Sequence, residues 1–214
     1  MIKVLIVDDH ELIRVGIKRL LSDVQGIEVI GEAESGEEAL QFIRQSRPDV
    51  VLMDVNMPGM GGLEATRRLL RIDQDIQVLA VTVYGGEPYP SRVLQAGAAG
   101  YITKGTNIDE MVRAIRKVHV GQRYISPDVA QQLALKHLTD DDTPFDQLSE
   151  REMQVMIMIT SGQKVQEISD QLCLSPKTVN SYRYRLFEKL NVNSDVELTH
   201  LAIRHGMLDP SVPV

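Results

Sequence analysis

The sequence predicts a parallel α/β domain over residues 1–119, followed by a small all-helical domain over residues 147–214. Five short runs rich in Val, Ile and Leu alternate with helical patterns in the first segment, and the second segment shows helical patterns alone. Between them, residues 139–144 include three adjacent aspartates and lack apolar periodicity. Residues 120–146 are therefore predicted to form a connector helix and a linker.

The first domain alternates predicted strands with predicted helices. Runs that are apolar on both faces predict buried parallel strands, and the patterns between them predict helices that cover the sheet. The predicted strands are residues 3–7, 27–30, 50–53, 78–81 and 101–103. The predicted helices are residues 11–21, 36–45, 62–71, 91–96 and 108–118. Together they predict a five-stranded parallel sheet with helices on both faces.

Capping residues mark the helices that follow. In the connector, Ser126 is expected to cap a helix that has Pro127 at its first position. Ser149 and Glu152 have the spacing of a capping box for the first helix of the second domain. A short helix over residues 165–172, a turn over residues 174–176 and a longer helix to Leu190 then form a helix-turn-helix pattern. Residues 195–205 predict a last helix.

Composition narrows the class of protein. The single cysteine, Cys173, excludes an intramolecular disulfide and favours a reducing compartment; we expect its side chain to be buried. No run approaches the roughly 20 apolar residues of a membrane span, and the N-terminus lacks the features of a signal peptide. The sequence therefore predicts a soluble cytoplasmic protein with no membrane partner.

Polar residues follow four of the predicted strands. Asp8 and Asp9 follow the first, Asp54 the third, Thr82 the fourth and Lys104 the fifth. The carboxyl ends of parallel strands meet at one edge, where ligands bind. Carboxylates that converge there repel one another unless a cation joins them, and Mg²⁺ is the expected hard, oxygen-seeking ion. The set predicts a site for a phosphoryl group on Asp54.

Each of these residues also has an ordinary structural explanation. Asp8 or Asp9 could cap the helix that follows, Thr82 could simply end a strand, and Lys104 could be a solvated lysine. Their shared position at one edge of one sheet favours the site over these separate explanations.

One face of the longer helix of the second domain is suited to bind DNA. A helical wheel places Val179, Leu186 and Leu190 inward, with Tyr182 and Arg183 at the margins. The opposite face carries Lys177, Asn180, Ser181, Tyr184 and Arg185. Residues 144–214 have a net charge of −2, but residues 175–190 have +3, so binding would rely on a focused patch that dimerisation doubles. The alternative is a solvated face on an ordinary bundle helix.

The residues Asp8-Asp9, Asp54, Met57-Pro58-Gly59, Thr82, Tyr101 and Lys104 resemble the signature of two-component response-regulator receivers. This resemblance implies a flavodoxin-like fold with strand order 2-1-3-4-5 and a sensor histidine kinase that phosphorylates Asp54. It implies Mg²⁺ bound by Asp9, Asp54 and the backbone carbonyl of Asn56, with Asp8 acting through water. Lys104 would pair with the phosphoryl group, Thr82 would bond one of its oxygens, and Tyr101 would swing inward as the switch aromatic.

One segment departs from that signature. Many receivers have a small residue directly after the threonine, whereas Val83 follows Thr82 here, with Pro88 and Pro90 beyond it. The departure predicts a stiffer loop before the fourth helix.

Residues 148–152, Ile168-Ser169, residues 174–179 and Lys189-Leu190 resemble LuxR-type output domains. In such domains the second helix of the motif lies in the major groove. The resemblance implies that Asn180, Ser181 and Tyr184 face base edges, whereas Lys177, Thr178, Tyr182, Arg183 and Arg185 contact phosphates. The last helix would supply dimer contacts.

Together the two resemblances identify the chain as a member of the NarL/FixJ class, and residues 61–67, 95–100, 121–125 and 175–185 resemble the GacA/UvrY group. That likeness implies a sensor kinase of the GacS/BarA kind. It also implies a homodimer that binds palindromic promoter DNA and activates small regulatory RNA genes.

Three other functions compete with this interpretation. A magnesium-dependent phosphatase with an aspartate nucleophile usually has a second carboxylate two residues later, where this chain has Asn56. A nucleotide-binding domain would need a Gly-rich loop after the first strand, which is missing. A receiver that acts only through protein contacts would bind no DNA. We therefore predict a regulator with no catalytic residues rather than an enzyme.

Overall fold

The computed structural model describes residues 1–82, 89–139, 144–205 and 207, with the backbone alone for residues 136–139 and for Glu150. Val83, Pro88 and the linker aspartates 140–142 lie outside the described residues. The described residues form two compact units, which divide between Leu135 and Lys136. The first unit thus continues past residue 119, where the sequence predicted a connector.

A parallel sheet forms the centre of the first unit. Its strands are β1 (Ile2–Val7), β2 (Ile27–Ala33), β3 (Val50–Met53), β4 (Gln77–Thr82), β5 (Gly100–Thr103) and β6 (Tyr124–Ile125). The strand order is β2-β1-β3-β4-β5-β6, and every pair is parallel. All four residues of β3 are buried, as its continuous apolar run predicts for a central strand. The predicted order of the first five strands is confirmed.

The predicted number of strands is wrong by one. The sheet has six strands, because Tyr124 and Ile125 pair with Gly100 and Tyr101 of β5. A strand of two residues is too short to show a period of two in the sequence, and this one lies inside the predicted connector.

Helices cover both faces of the sheet. They are α1 (Glu11–Ser22), α2 (Gly36–Phe42), α3 (Gly61–Ile72), α4 (Tyr89–Gln95) and α5 (Ile108–His119), and α6 (Pro127–Thr139) follows β6. On one face, α1 and α5 contribute Leu21, Ile115 and Val118 to a core that also contains Ile6 and Leu79. Burial of each such side chain stabilises the fold by about 1.5–3 kcal/mol. This core holds the strand ends in fixed positions.

The second unit is helical. A 3-10 helix (Pro144–Gln147) precedes α7 (Glu150–Thr160), α8 (Val165–Gln171), α9 (Pro176–Leu190) and α10 (Asp195–Arg204). The predicted capping box is confirmed, since the Ser149 amide donates to Glu152 Oε2 at 2.7 Å and the Glu152 amide to Ser149 Oγ at 3.4 Å. Helix α9 ends at Leu190, and its C-cap is Asn191, whose φ of 53° lies in the left-handed region that asparagine tolerates.

Two local predictions are wrong. Helix α6 begins at Pro127 as predicted, but the Oγ of the preceding Ser126 is buried without a hydrogen-bond partner and makes no capping hydrogen bond. Cys173 is exposed rather than buried, in the turn after α8, where its φ is 52°. Among the described residues, no helix is both long enough and apolar enough to cross a membrane.

Candidate functional site

The predicted polar residues meet at the carboxyl edge of the sheet in the first unit. Asp8 follows β1, Asp54 follows β3, and Lys104 follows β5. Backbone hydrogen bonds fix these strand ends, since Asp54 N donates to Val7 O at 2.8 Å and Lys104 N donates to Thr82 O at 2.7 Å. The fold therefore positions the carboxylates and the lysine before any ligand arrives.

Lys104 bridges two buried carboxylates. Its Nζ lies 2.7 Å from Asp8 Oδ2 and 2.8 Å from Asp54 Oδ2. The side chains of Asp8 and Asp54 are each 3% exposed, and that of Lys104 is 11% exposed. Buried charges are stable only when they are paired and hydrogen-bonded. Lys104 is thus part of a charged cluster and not a solvated surface residue.

The cluster sets the protonation of its members. Burial raises the pKa of Asp54 to about 6, although Lys104 beside it acts to lower that pKa. For Lys104, burial favours the neutral amine, but the charges and hydrogen bonds of Asp54 and Asp8 outweigh it and raise the pKa. At neutral pH Asp54 is mostly ionised and Lys104 is charged, so Asp54 retains the carboxylate needed of a nucleophile.

Asp9 completes a set of oxygen donors that fits a divalent cation. Asp8, Asp9, His10 and Asp54 each offer one possible ligand atom, and these atoms lie within 4.8 Å of one another. Asp9 Oδ1 is buried and accepts no hydrogen bond, although His10 Nδ1 lies 3.0 Å away. A buried carboxylate oxygen without a donor is costly unless a cation or water meets it. An oxygen-rich set of this kind suits a hard ion such as Mg²⁺.

Helix capping does not explain the acidic pair. The N-cap position of α1 is occupied by His10 rather than by Asp8 or Asp9, and the side chain at that position makes no capping hydrogen bond. The Asp8 carboxylate instead accepts from the His10 amide at 2.9 Å and pairs with Lys104.

The sequence places His10 next to the acidic pair, and its exposed side chain lies beside both Asp8 and Asp9. Two other neighbours of the pocket were not predicted. Arg14 Nη1 donates to the carbonyl of Asp8 at 2.6 Å, and its place one turn into α1 was the available signal. Glu37 Oε1 accepts from the Met60 amide at 3.0 Å and so holds the loop between β3 and α3. That contact joins distant parts of the chain and leaves no local pattern.

The two predicted switch residues occupy buried positions. Thr82 ends β4 and Tyr101 lies in β5, and both side chains are 0% exposed. Tyr101 is thus in the inward arrangement expected of a switch aromatic.

Helix α9 presents the predicted polar face. Ser175 Oγ accepts from the Thr178 amide at 3.1 Å and Pro176 begins the helix, as predicted. Val179, Leu186 and Leu190 are buried. The opposite side is exposed at Lys177, Ser181, Tyr184 and Arg185 and half-buried at Thr178, Asn180 and Tyr182. Hydrogen-bonding groups and positive charge therefore share one surface.

Arg183 has an internal role instead. Its Nε and Nη2 donate to the two carboxylate oxygens of Asp195, both at 2.7 Å. The guanidinium also lies 5.3 Å from the centre of the Phe187 ring. This bidentate pair joins α9 to the start of α10, so the geometry does not support a phosphate contact by Arg183.

Two known families account for most of the sequence. The family described as "Response regulator receiver domain" matches residues 4–116, and "Bacterial regulatory proteins, luxR family" matches residues 146–202. The chain is a two-component response regulator. Its second unit is a LuxR-type DNA-binding domain, and the protein is a transcription regulator and not an enzyme. Residues 117–145, which contain β6 and α6, lie outside both matches.

The response regulator is similar to known members of the predicted group. It is 64% identical over 213 residues to response regulator GacA of Pseudomonas syringae pv. syringae, covering 99% of this chain and 100% of that protein. It is 60% identical over 209 residues to response regulator UvrY of Escherichia coli K12, covering 97% of this chain and 96% of that protein. The predicted family resemblance is confirmed.

Solved structures share the fold. A LuxR-family two-component response regulator from Aurantimonas sp. SI85-9A1 is 38% identical with a TM-score of 0.62, over 64% of this response regulator and 97% of that chain. RcsB from Salmonella typhimurium, at 23% identity, gives a TM-score of 0.71 over 93% of this chain and 95% of that one.

Proposed function

We propose that Asp54 of this response regulator accepts a phosphoryl group from a sensor histidine kinase and that the phosphate strengthens promoter binding by α9. The observation that carries the proposal is the bridge that Lys104 makes between buried Asp8 and Asp54. The ionised Asp54 oxygen would form the new P–O bond while the P–N bond of the kinase phosphohistidine breaks. Lys104 would then pair with the phosphoryl oxygens, and the Thr82 hydroxyl would bond one of them.

Asp9, Asp54 and the backbone carbonyl of Asn56 would hold Mg²⁺, with Asp8 contributing through water. The buried Asp9 Oδ1, which accepts no hydrogen bond although His10 Nδ1 lies 3.0 Å away, supports this assignment. When bound, the ion supplies positive charge that offsets the charge of the phosphoryl oxygens. The Asn56 amide donates to Asp54 Oδ1 at 3.1 Å, which fixes the loop whose carbonyl would complete the site.

The output would follow from a population shift. A phosphoryl group on Asp54 that accepts a hydrogen bond from the Thr82 hydroxyl favours the buried arrangement of Tyr101. The receiver surface that accompanies this arrangement favours a homodimer. A dimer places two copies of α9 on two half-sites of a palindromic promoter. Asn180, Ser181 and Tyr184 would contact base edges, and Lys177, Thr178, Tyr182 and Arg185 would contact phosphates.

The similarity to GacA and UvrY supports a more specific assignment. The donor would be a sensor kinase of the GacS/BarA kind, and the regulator would act in the cytoplasm. Its targets would be small regulatory RNA genes, whose transcription it would activate.

Phosphate acceptance can be tested on the purified full chain with acetyl phosphate and Mg²⁺. Mobility on a phosphate-affinity gel should shift for the wild type and for the control Asp109→Asn, which removes an exposed carboxylate of α5. Asp54→Asn should show no shift, and a chelator should abolish the shift of the wild type. A full shift of Asp54→Asn would show that another residue is the acceptor.

A further inference from the structure

Strand β6 closes the edge of the strand that carries the switch aromatic. Tyr124 N donates to Ala99 O at 3.1 Å, and Ser126 N donates to Tyr101 O at 3.0 Å. Ile125 is the register partner of Tyr101. Since β5 leads directly into Lys104, the strand at the phosphate site is flanked by β4 on one side and by β6 on the other. Neither family match extends to β6.

The two side chains of β6 have different surroundings. Tyr124 belongs to the core beneath α5, and its hydroxyl donates to Glu110 Oε1 of α5 at 3.0 Å. Lys117 Nζ lies 5.5 Å from the centre of the same ring. Because side chains alternate along a strand, Ile125 points to the opposite face of the sheet, which is the face of Tyr101. One residue thus anchors β6, and the next lies beside the switch aromatic.

The close fit of β6 depends on a glycine in β5. A Cβ at position 100 would lie 2.7 Å from the carbonyl oxygen of Tyr124, which is closer than a side chain can approach. Gly100 therefore allows a docked sixth strand at this edge.

Strand β6 continues almost directly into α6. Ser126 alone separates Ile125 from Pro127, the first residue of α6, and the Ala130 amide donates to Ser126 O at 2.9 Å. The carbonyl of Tyr101 therefore accepts a hydrogen bond from the residue that directly precedes α6.

From this arrangement we propose that β6 couples the position of Tyr101 to the start of α6, so that the state of the phosphate site reaches the linker through β6. The buried Tyr101 ring completes the surface beside Ile125 and holds β6 in place. Withdrawal of the ring removes that neighbour, weakens the hydrogen bonds from Tyr124 N to Ala99 O and from Ser126 N to Tyr101 O, and releases the first turn of α6. The inference rests on the proposed function and specifies its route.

Hydrogen exchange of the wild-type full chain tests the coupling without DNA. The Tyr124 amide donates to Ala99 O, just before β5, and the Ser126 amide donates to Tyr101 O of β5. Exchange of these two amides therefore reports the docking of β6. Addition of beryllofluoride and Mg²⁺, as a mimic of phosphorylation, should slow exchange at both amides. Unchanged exchange at both, together with tighter DNA binding under the same conditions, would overturn the inference.

Two variants test the same route through DNA binding. Tyr124→Phe removes the hydroxyl that binds Glu110, and Ile125→Ala removes the side chain on the Tyr101 face. Arg116→Gln is the control, because it removes a different contact of α5, the hydrogen bond to Gln25 O. All three should accept phosphate on Asp54 as the wild type does.

In Tyr124→Phe and Ile125→Ala, the phosphorylation-dependent gain in affinity for a palindromic small-RNA promoter duplex should fall roughly two- to tenfold. This is the factor that one ordinary contact contributes to an equilibrium. The gain in Arg116→Gln should stay at the wild-type value. A full gain in both β6 variants, or loss of phosphate acceptance in either, would overturn the inference. If phosphorylation leaves the DNA affinity of the wild type unchanged while beryllofluoride still slows exchange at Tyr124 and Ser126, the proposed function is wrong and the coupling through β6 is supported.

Discussion

Replacement of Lys104 by methionine tests the electrostatics of the proposed phosphate site. Methionine keeps most of the length and volume of lysine but lacks its charge. In Lys104→Met, Asp8 and Asp54 remain buried side by side without the cation that lies 2.7 and 2.8 Å from them. We expect the upper apparent pKa of this carboxylate pair to rise.

The size of the rise follows from the lost contact. A hydrogen bond to a charged group contributes about 1.5–3 kcal/mol, and one pKa unit corresponds to about 1.4 kcal/mol. The pKa of Asp54 is already raised to about 6 by burial, so it should reach about 7–8 in the variant. Repulsion between the two carboxylates adds to this value. At pH 7 at least about half of the Asp54 carboxyl groups would then be protonated and unable to act as nucleophiles.

Carbon NMR of aspartate carboxyl groups across a pH series measures this titration in metal-free buffer. Asp54→Asn assigns the resonance. Lys117→Met is the matched control, because Lys117 is an exposed lysine of α5, and it should leave the titration unchanged. Asp8 and Asp54 titrate as a coupled pair, so the macroscopic value is the quantity to compare. An unchanged or lower value in Lys104→Met would refute the electrostatic role given to this lysine.

Three further predictions concern stability and DNA contacts. Burial raises the folded-state pKa of Asp54 from 3.8 to about 6, so in metal-free buffer Asp54→Asn should be more stable than the wild type to urea by up to about 3 kcal/mol at pH 7. This advantage should vanish towards pH 4, because the Asp54 carboxyl of the folded wild type is protonated there. An advantage that does not depend on pH would contradict burial of the charge as its cause. Desolvation raises the pKa of buried Glu152, but hydrogen bonds from Lys189 and Ser149 outweigh it and lower that pKa. Lys189→Met should therefore lower the free energy of unfolding of the second unit by about 1–3 kcal/mol at neutral pH. This loss of stability should shrink as acid protonates Glu152, whereas an equal loss at all pH values would show that packing is its cause. Arg185→Ala should weaken promoter binding roughly tenfold and reduce the slope of log affinity against log salt concentration by about 1. Arg183→Ala should mainly lower the stability of the second unit, because Arg183 pairs with Asp195. The reverse pattern in titrations at several salt concentrations would show that Arg183 contacts DNA.

Local patterns were sufficient to predict much of the fold and of the candidate site. The apolar strands end in polar residues, and the carboxyl edge of a parallel sheet brings those residues together, which is why Asp54 and Lys104 could be placed from sequence. Ser149 and Glu152 are three residues apart, so their reciprocal capping depends only on the geometry of one helical turn. The buried face of α9 follows in the same way from its periodicity.

Features that depend on contacts between distant segments were missed or predicted wrongly. The bidentate pair of Arg183 and Asp195 joins two helices, so a helical wheel of α9 alone could not show that the guanidinium binds a carboxylate of α10. Strand β6 is recognisable only by its partner β5, since two residues carry no period. The exposure of Cys173 follows from a left-handed turn after α8, which cysteine rarely adopts.

In the proposed function, phosphorylation of Asp54 controls binding of DNA by the second unit. The most direct measurement is the affinity of the full chain for a palindromic small-RNA promoter duplex at one fixed salt concentration, with and without acetyl phosphate and Mg²⁺. We predict tighter binding by the phosphorylated wild type and no change for Asp54→Ala. Equal affinity of the wild type in both conditions would contradict the claim, and so would tightening of Asp54→Ala by the phosphodonor.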